Sequence, residues 1–217
     1  TMPPYVKSMI PGPGMTAAPN IKILLEFNQA MDSASFTSNV LLKQTSDNST
    51  IGSSFSLDST EKRFLTITPA SALAAGEYEV SVLGGAKNSS GITMRMTPTD
   101  IAFSSKFLVS GSNDAAAPTI YPLTASGTTG VAVNNVFEFG FNEQLSFTSL
   151  NTTNVAMSRG GTAVSIDVKY DAGKNNVYIA PNSVLAPNTV YNLTFYSAVT
   201  DLAGNPITTS TFIYTTG

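Results

Sequence analysis

The chain has 217 residues, and at about 100 to 150 residues per domain this length predicts two compact domains. Only 12% of its residues are charged, with 11 Lys and Arg against 14 Asp and Glu, and its pI is about 4.8. A weakly charged, acidic chain has no basic stripe to neutralise phosphates, which argues against nucleic-acid binding. No apolar segment is long enough to predict a membrane-spanning helix.

Histidine and cysteine are both absent. This removes the Ser-His-Asp and Cys-His nucleophile systems and nearly every zinc arrangement. We therefore predict that the chain is not an enzyme. Domains of about 100 residues bury enough surface to fold without disulfides, so the lack of cysteine leaves the cellular compartment open.

Short runs of alternating apolar and polar residues dominate the first half of the chain. In chain order they predict about seven strands, near residues 5–10, 22–28, 40–44, 54–57, 64–68, 77–83 and 101–109. Residues 31–40 and 70–75 can hold a single turn of helix each. Seven short strands in about 100 residues favour an all-β, immunoglobulin-like (fibronectin III-like) sandwich of two sheets.

The second half of the chain repeats the first at an offset of about 113 residues. Phe27-Asn28-Gln29 corresponds to Phe141-Asn142-Glu143, and Asn88 corresponds to Asp201. We therefore predict a sandwich at residues 1–110, a linker at 111–117 and a second sandwich at 118–217. The linker sequence, Ser-Gly-Ser-Asn-Asp-Ala-Ala-Ala from residue 110 to 117, consists of small and polar residues without a strand pattern.

A tyrosine lies just inside a late strand in both halves. The pattern Leu73-x-x-Gly76-x-Tyr78 has a counterpart in the second half, Leu185-x-x-Asn188-x-x-Tyr191. This pattern is typical of a tyrosine corner, in which the ring packs inside and the hydroxyl bonds to upstream backbone. An ordinary half-buried strand tyrosine is the alternative.

Three segments of the chain carry a family resemblance: Phe-Asn-Gln-Ala-Met-Asp at 27–32, the Thr-Pro to Tyr block at 68–78 and Val-Thr-Asp-Leu-Ala-Gly-Asn-Pro-Ile at 199–207. The resemblance is to the bacterial Ig-like domain family first described in S-layer proteins. It covers both halves, although the first has Asn88 where the second has Asp201. It implies a secreted or cell-surface bacterial location, and a role as spacer, assembly unit or adhesive stalk beside other domains of a longer parent protein.

Glu143 is the best isolated acid, directly after a predicted strand. No second carboxylate is placed with it in the sequence, so we interpret it as a solvated strand end rather than a catalytic group. Asp201-Leu202-Ala203-Gly204-Asn205-Pro206 is the strongest local motif. Its structural interpretation is a turn in which Asp201 accepts from backbone N–H groups two residues on and Gly204 takes a positive φ.

Calcium is the one cofactor that the sequence leaves open, with Asp114 and Asp201 as candidate ligands. Asp100, Asp114 and a loop acid such as Glu143 or Asp201 can converge near the predicted linker. A calcium ion needs six to eight oxygen ligands at about 2.3 to 2.6 Å, and the acidic spacing is sparse. A linker without metal is therefore the favoured alternative.

Two functions remain open on sequence grounds. The first is a non-catalytic structural spacer or adhesive unit of a bacterial cell-surface or secreted protein. The second is a ligand-binding accessory module that takes calcium, cell-wall glycan or a surface protein. A glycan platform needs exposed aromatic rings, and the loosely placed ones in the sequence are Tyr5, Tyr121, Tyr170 and Tyr196.

Overall fold

The computed structural model describes residues 2–217, which form two compact units. Unit 1 is Thr1–Asp114 and unit 2 is Ala115–Gly217. The division falls inside the segment 111–117, and the exact limits of a linker stay a prediction. Each unit is an immunoglobulin-like β-sandwich, as the sequence predicts.

Unit 1 contains the seven predicted strands and one further short strand. The additional strand was missed because two residues carry no alternation pattern. In chain order the strands are β1 (Val6–Ile10), β2 (Thr16–Ala17), β3 (Ile23–Phe27), β4 (Val40–Gln44), β5 (Ser53–Leu57), β6 (Phe64–Pro69), β7 (Gly76–Leu83) and β8 (Ile101–Val109).

The strands of unit 1 form two four-stranded sheets, with the orders β1-β3-β6-β5 and β2-β8-β7-β4. A 3₁₀ turn at Ser33–Ser35 confirms the helical turn predicted at 31–40. Residues 70–75 hold only bends, so the helical turn predicted there is absent. The stretch is a loop in which the Leu73 N–H donates to the Pro19 carbonyl at 2.8 Å, a partner far away in the chain, rather than to a carbonyl one helical turn earlier.

Unit 2 repeats this arrangement with eight strands of its own. Its sheets have the orders β13-β14-β10-β9 and β12-β11-β15-β16. In chain order the strands are β9 (Ile120–Pro122), β10 (Phe137–Phe141), β11 (Val155–Arg159), β12 (Thr162–Val164), β13 (Ile166–Asp171), β14 (Asn176–Pro181), β15 (Val190–Phe195) and β16 (Ser210–Thr215).

Each unit has a hydrophobic core between its two sheets. In unit 2 the aromatic rings carry much of it: the Phe139 ring centroid lies 4.9 Å from those of Phe195 and Phe212. In unit 1, Phe27 stacks on Phe36 at 5.6 Å. The inward positions are the apolar members of the alternating runs, because successive side chains of a strand point to opposite faces.

Both predicted tyrosine corners are confirmed. The Tyr78 hydroxyl donates to the Ala74 carbonyl at 3.0 Å. The Tyr191 hydroxyl instead accepts from the Ala186 N–H at 2.8 Å. Both rings are almost fully buried, so the two units share this packing although their hydroxyl hydrogen bonds have opposite polarity.

In each unit a short segment that follows the first strand lies beside the last segment of the unit and runs parallel to it. In unit 1, β2 pairs with β8, and the Leu108 and Ser110 N–H groups donate to the Met15 and Ala17 carbonyls at 2.8 and 3.1 Å. In unit 2, Val131 forms a parallel bridge with Thr216. Each unit thus pairs a segment near its start with its last segment through parallel backbone hydrogen bonds.

Candidate metal site

Asp201 is buried in a turn that follows β15. One carboxylate oxygen, Oδ1, accepts from the N–H groups of Gly204 and Asn205 at 2.7 and 2.8 Å, and Oδ2 accepts from Asn205 Nδ2 at 2.8 Å. Gly204 has a φ of 94°. The predicted Asp-Gly turn is therefore present, although its N–H donors lie three and four residues after Asp201 rather than two.

Unit 1 builds the equivalent turn around an amide. Asn88 Oδ1 accepts from the N–H groups of Ser90 and Ile92 at 3.0 and 2.8 Å. The other end of the side chain, Nδ2, donates to Gln29 Oε1 at 3.1 Å. Unit 1 thus closes this corner of the sandwich with a hydrogen-bonded pair of neutral amides.

Unit 2 places two carboxylates at these same two positions. Leu145 and Asp201 form an antiparallel bridge, and the Ser146 N–H donates to the Thr200 carbonyl at 2.9 Å. This pairing brings the segment after β10 against the Asp201 turn, so that carboxylate oxygens of Glu143 and Asp201 lie within 4.8 Å of each other. The sequence analysis found no second carboxylate for Glu143, and the structure supplies one.

The Glu143–Asp201 pair differs from the Gln29–Asn88 pair in its electrostatics. An ionised Asp201 has no hydrogen to donate to Glu143, whereas Asn88 donates to Gln29. Two unit charges less than 5 Å apart repel by about 3 kcal/mol at the effective dielectric of a partly buried site. A cation bound between the two carboxylates would turn this repulsion into attraction.

The chain matches the family model described as the bacterial Ig-like domain twice, over residues 1–105 and 114–216. It therefore belongs to the bacterial Ig-like domain family, with two tandem copies. The comparison with curated proteins finds no match. No described helix has the length and apolar character needed to cross a membrane.

Three solved structures illustrate what the chain resembles. PcoC, a methionine-rich copper resistance protein from Escherichia coli, is 22% identical over 50% of this chain and 100% of its own, with a TM-score of 0.38. The N-terminal part of the bacterial S-layer protein SbsC is 14% identical, with a TM-score of 0.40, and the alignment covers 100% of this chain and 44% of that one. A chimeric titin Z1Z2 is 12% identical over 99% of this chain and 96% of its own, with a TM-score of 0.37.

Asp114 is the residue at which the second family match begins. In the structure Asp114 is the last residue of unit 1, whereas Glu143 and Asp201 both belong to unit 2. The Asp114 backbone is fixed by Asn20, whose side chain donates to its carbonyl and accepts from its N–H, both at 2.8 Å. Asp100 also lies in unit 1, in the loop before β8, where its carbonyl accepts from the Gly84 N–H at 2.7 Å.

The tyrosines named as glycan candidates do not share one environment. Tyr170 is not loose: its hydroxyl accepts from the Leu145 N–H at 2.8 Å, and burial raises its pKa to about 12. The Tyr121 ring lies over Gly140 of the neighbouring strand and leaves no room for a Cβ there. Tyr5 and Tyr196 remain half-exposed. These contacts give Tyr170 and Tyr121 structural roles within unit 2.

Proposed function

We propose that the chain is a non-catalytic structural spacer or adhesive unit of a larger bacterial cell-surface or secreted protein. Family membership supports this proposal, since bacterial Ig-like domains serve as modules of longer proteins. The absence of histidine and cysteine from the sequence agrees with a role that needs no acid–base or nucleophilic group. Other domains of the parent protein are the expected neighbours.

The observation that carries the proposal is the parallel pairing, in each unit, of a segment near its start with its last segment. Tension applied to the two ends of such a unit slides the paired segments along each other. The backbone bonds between them are then strained together rather than opened one at a time. Because forced unfolding is governed by the unfolding rate, such a unit resists extension while the bonds hold.

Ser110→Pro tests this role in unit 1. Proline has no N–H, so the variant loses the bond to the Ala17 carbonyl, while the side chain of Ser110 is exposed and contributes no core contact. We expect single-molecule stretching of the chain to show one of its two unfolding events at lower force, with the other unchanged.

Ser110→Ala is the matched control, because it removes the side chain and keeps the N–H. It should unfold at the wild-type force. Equal forces for Ser110→Pro and Ser110→Ala would contradict a role of this pairing under tension.

We propose calcium binding by Glu143 and Asp201 of unit 2 as a second candidate function. The supporting observation is that unit 2 brings two carboxylates together where unit 1 has an amide pair. Oxygen-rich clusters of carboxylates and backbone carbonyls are the ligands that calcium prefers. The two carboxylates would supply part of the required shell, and backbone carbonyls or waters would complete it.

The double variant Glu143→Gln/Asp201→Asn gives unit 2 the amide pair of unit 1. We expect calcium to raise the melting temperature of the wild-type chain, because a ligand at 100 times its Kd stabilises the native state by about 2.7 kcal/mol. The double variant should lose this response. In chelator it should melt above the wild type, since the carboxylate repulsion is gone.

Magnesium and the variant Gln29→Glu/Asn88→Asp serve as controls. Magnesium should produce a smaller shift, because it demands a tighter octahedral shell. The unit 1 variant should lower stability in chelator, as it introduces the repulsion without changing the second copy. A wild-type melting curve that is the same in calcium and chelator would rule out the calcium site.

A further inference from the structure

Strand β5 is an open edge of the first sheet of unit 1. The Asp58 N–H donates to the Phe64 carbonyl at 3.0 Å, and the Ala70 N–H donates to the Gly52 carbonyl at 2.8 Å. In this antiparallel register Ser54 and Ser56 direct their backbone groups toward β6. The backbone groups of the alternate residues, Ser53, Phe55 and Leu57, therefore point away from the sheet, and within residues 2–217 no other strand pairs with them on that side.

The equivalent edge strand of unit 2, β13, carries charged side chains, whereas β5 carries none. In β13 the exposed positions carry Asp167 and Lys169, which form an ion pair at 3.2 Å. The corresponding exposed residues of β5 are Ser54 and Ser56. Natural sheets protect their edges from pairing with charged residues, proline or bulges, and residues 49–57 contain no charge and no proline. Phe55 and Leu57 are also only partly buried.

We propose that β5 pairs antiparallel with β5 of a second copy of this chain. A two-fold axis through Phe55 sets it opposite Phe55 of the partner subunit, and sets Ser53 opposite Leu57 of the partner subunit. The three residues whose backbone groups point away from the sheet then pair with the same three residues of the partner subunit. Two hydrogen bonds for each pair give about six new backbone hydrogen bonds. The two four-stranded sheets join into one of eight strands.

A second copy fits this edge because β5 is compatible with itself. In an isologous contact each residue meets its symmetry-related surface, so a net charge on the edge would face a like charge. β5 has no charged residue. Across the axis Ser54 faces Ser56 of the partner subunit. A contact along five residues is smaller than a standard interface of about 1,600 Å², so the dimer is weak and forms with rising concentration. This inference does not depend on the spacer role.

Sedimentation velocity of the full chain over a series of concentrations tests the proposal. The wild type should shift from monomer to dimer as concentration rises. Ser54→Lys/Ser56→Lys should stay monomeric throughout, because the introduced lysine at 54 faces the introduced lysine at 56 of the partner subunit. Both substitutions lie on an exposed face opposite Thr66 and Thr68, so a thermal melt close to the wild type is expected.

Ser54→Asp/Ser56→Lys is the matched variant at the same two positions. Here each introduced aspartate faces an introduced lysine of the partner subunit, so the dimer should persist or tighten. A wild type that stays monomeric at every concentration overturns the proposal, even if an unrelated peptide strand binds the edge. Equal behaviour of the two double variants, whether both dimerise or both remain monomeric, overturns the proposed register.

Discussion

Phe139→Ala should unfold unit 2 selectively, with a loss of about 3 to 5 kcal/mol in the free energy of unfolding. Phe139 is fully buried, and its ring contacts Phe195 and Phe212, each with centroids 4.9 Å away. Truncation removes these contacts and leaves a cavity. For a domain of about 100 residues the melting temperature should fall by about 12 °C or more.

Leu25→Ala is the matched change in unit 1, since Leu25 occupies the corresponding position of the repeat and is also fully buried. Differential scanning calorimetry should show two transitions in each variant. Phe139→Ala should lower only the one from unit 2, and Leu25→Ala only the other. A single transition that falls equally in both variants would show that the two sandwiches do not unfold separately.

Asp58→Ala should destabilise unit 1 by about 1 to 3 kcal/mol, because it leaves backbone donors of one turn without their acceptor. Oδ2 of Asp58 accepts from the Glu61 and Lys62 N–H groups at 2.7 and 3.0 Å. Oδ1 accepts from Arg63 and Phe64 at 2.9 and 2.8 Å. Chemical denaturation of the variant measures the loss.

The same turn predicts a pH dependence for unit 1. Burial raises the pKa of Asp58, but the N–H groups of Phe64, Glu61, Lys62 and Arg63 together hold it below its ordinary value of 3.8. A lowered folded-state pKa contributes stability that is present above the unfolded value and is lost as pH falls through the folded one. Asp58→Asn should therefore lose less stability on acidification below pH 3.8 than the wild type.

Asp171→Ala in unit 2 provides the comparison for Asp58→Ala. Among residues 2–217 the Asp171 carboxylate accepts from two backbone N–H groups, those of Gly173 and Lys174 at 3.0 and 3.3 Å. Its removal should cost less than the removal of Asp58. A larger loss of stability for Asp171→Ala would contradict the expectation that the loss increases with the number of backbone N–H groups bonded to the carboxylate.

The regular strands were predictable because each buries one face. In β6, for example, the buried Leu65 and Ile67 alternate with the threonines at 66 and 68. β2 and β12 were not, since two or three residues paired through the backbone leave no side-chain pattern. The tyrosine corners were predictable because ring packing and upstream bonding depend on local spacing, as before Tyr78.

The candidate site was only partly predictable. The Asp201 turn is local, and its residue types indicate it. The approach of Glu143 depends on pairing between segments far apart in the chain, which periodicity does not report. The sequence repeat could have predicted this pair, because Gln29 and Asn88 of the first copy align with Glu143 and Asp201 of the second. The interpretation of Tyr170 as a loosely placed side chain was wrong. Its ring packs against the core of unit 2 and its hydroxyl accepts from the Leu145 N–H, and both contacts depend on tertiary packing that the local sequence does not report.

Stretching the wild-type chain from its two ends in single-molecule force spectroscopy tests the spacer role most directly. We predict two separate unfolding events, each releasing about 300 Å of chain, as expected for about 100 residues at 3.3 to 3.6 Å each. Both should require measurable force, because the parallel end pairings of the two units are strained together. A single event, or extension of either unit without a force peak, would contradict the proposal that this chain is a tandem spacer.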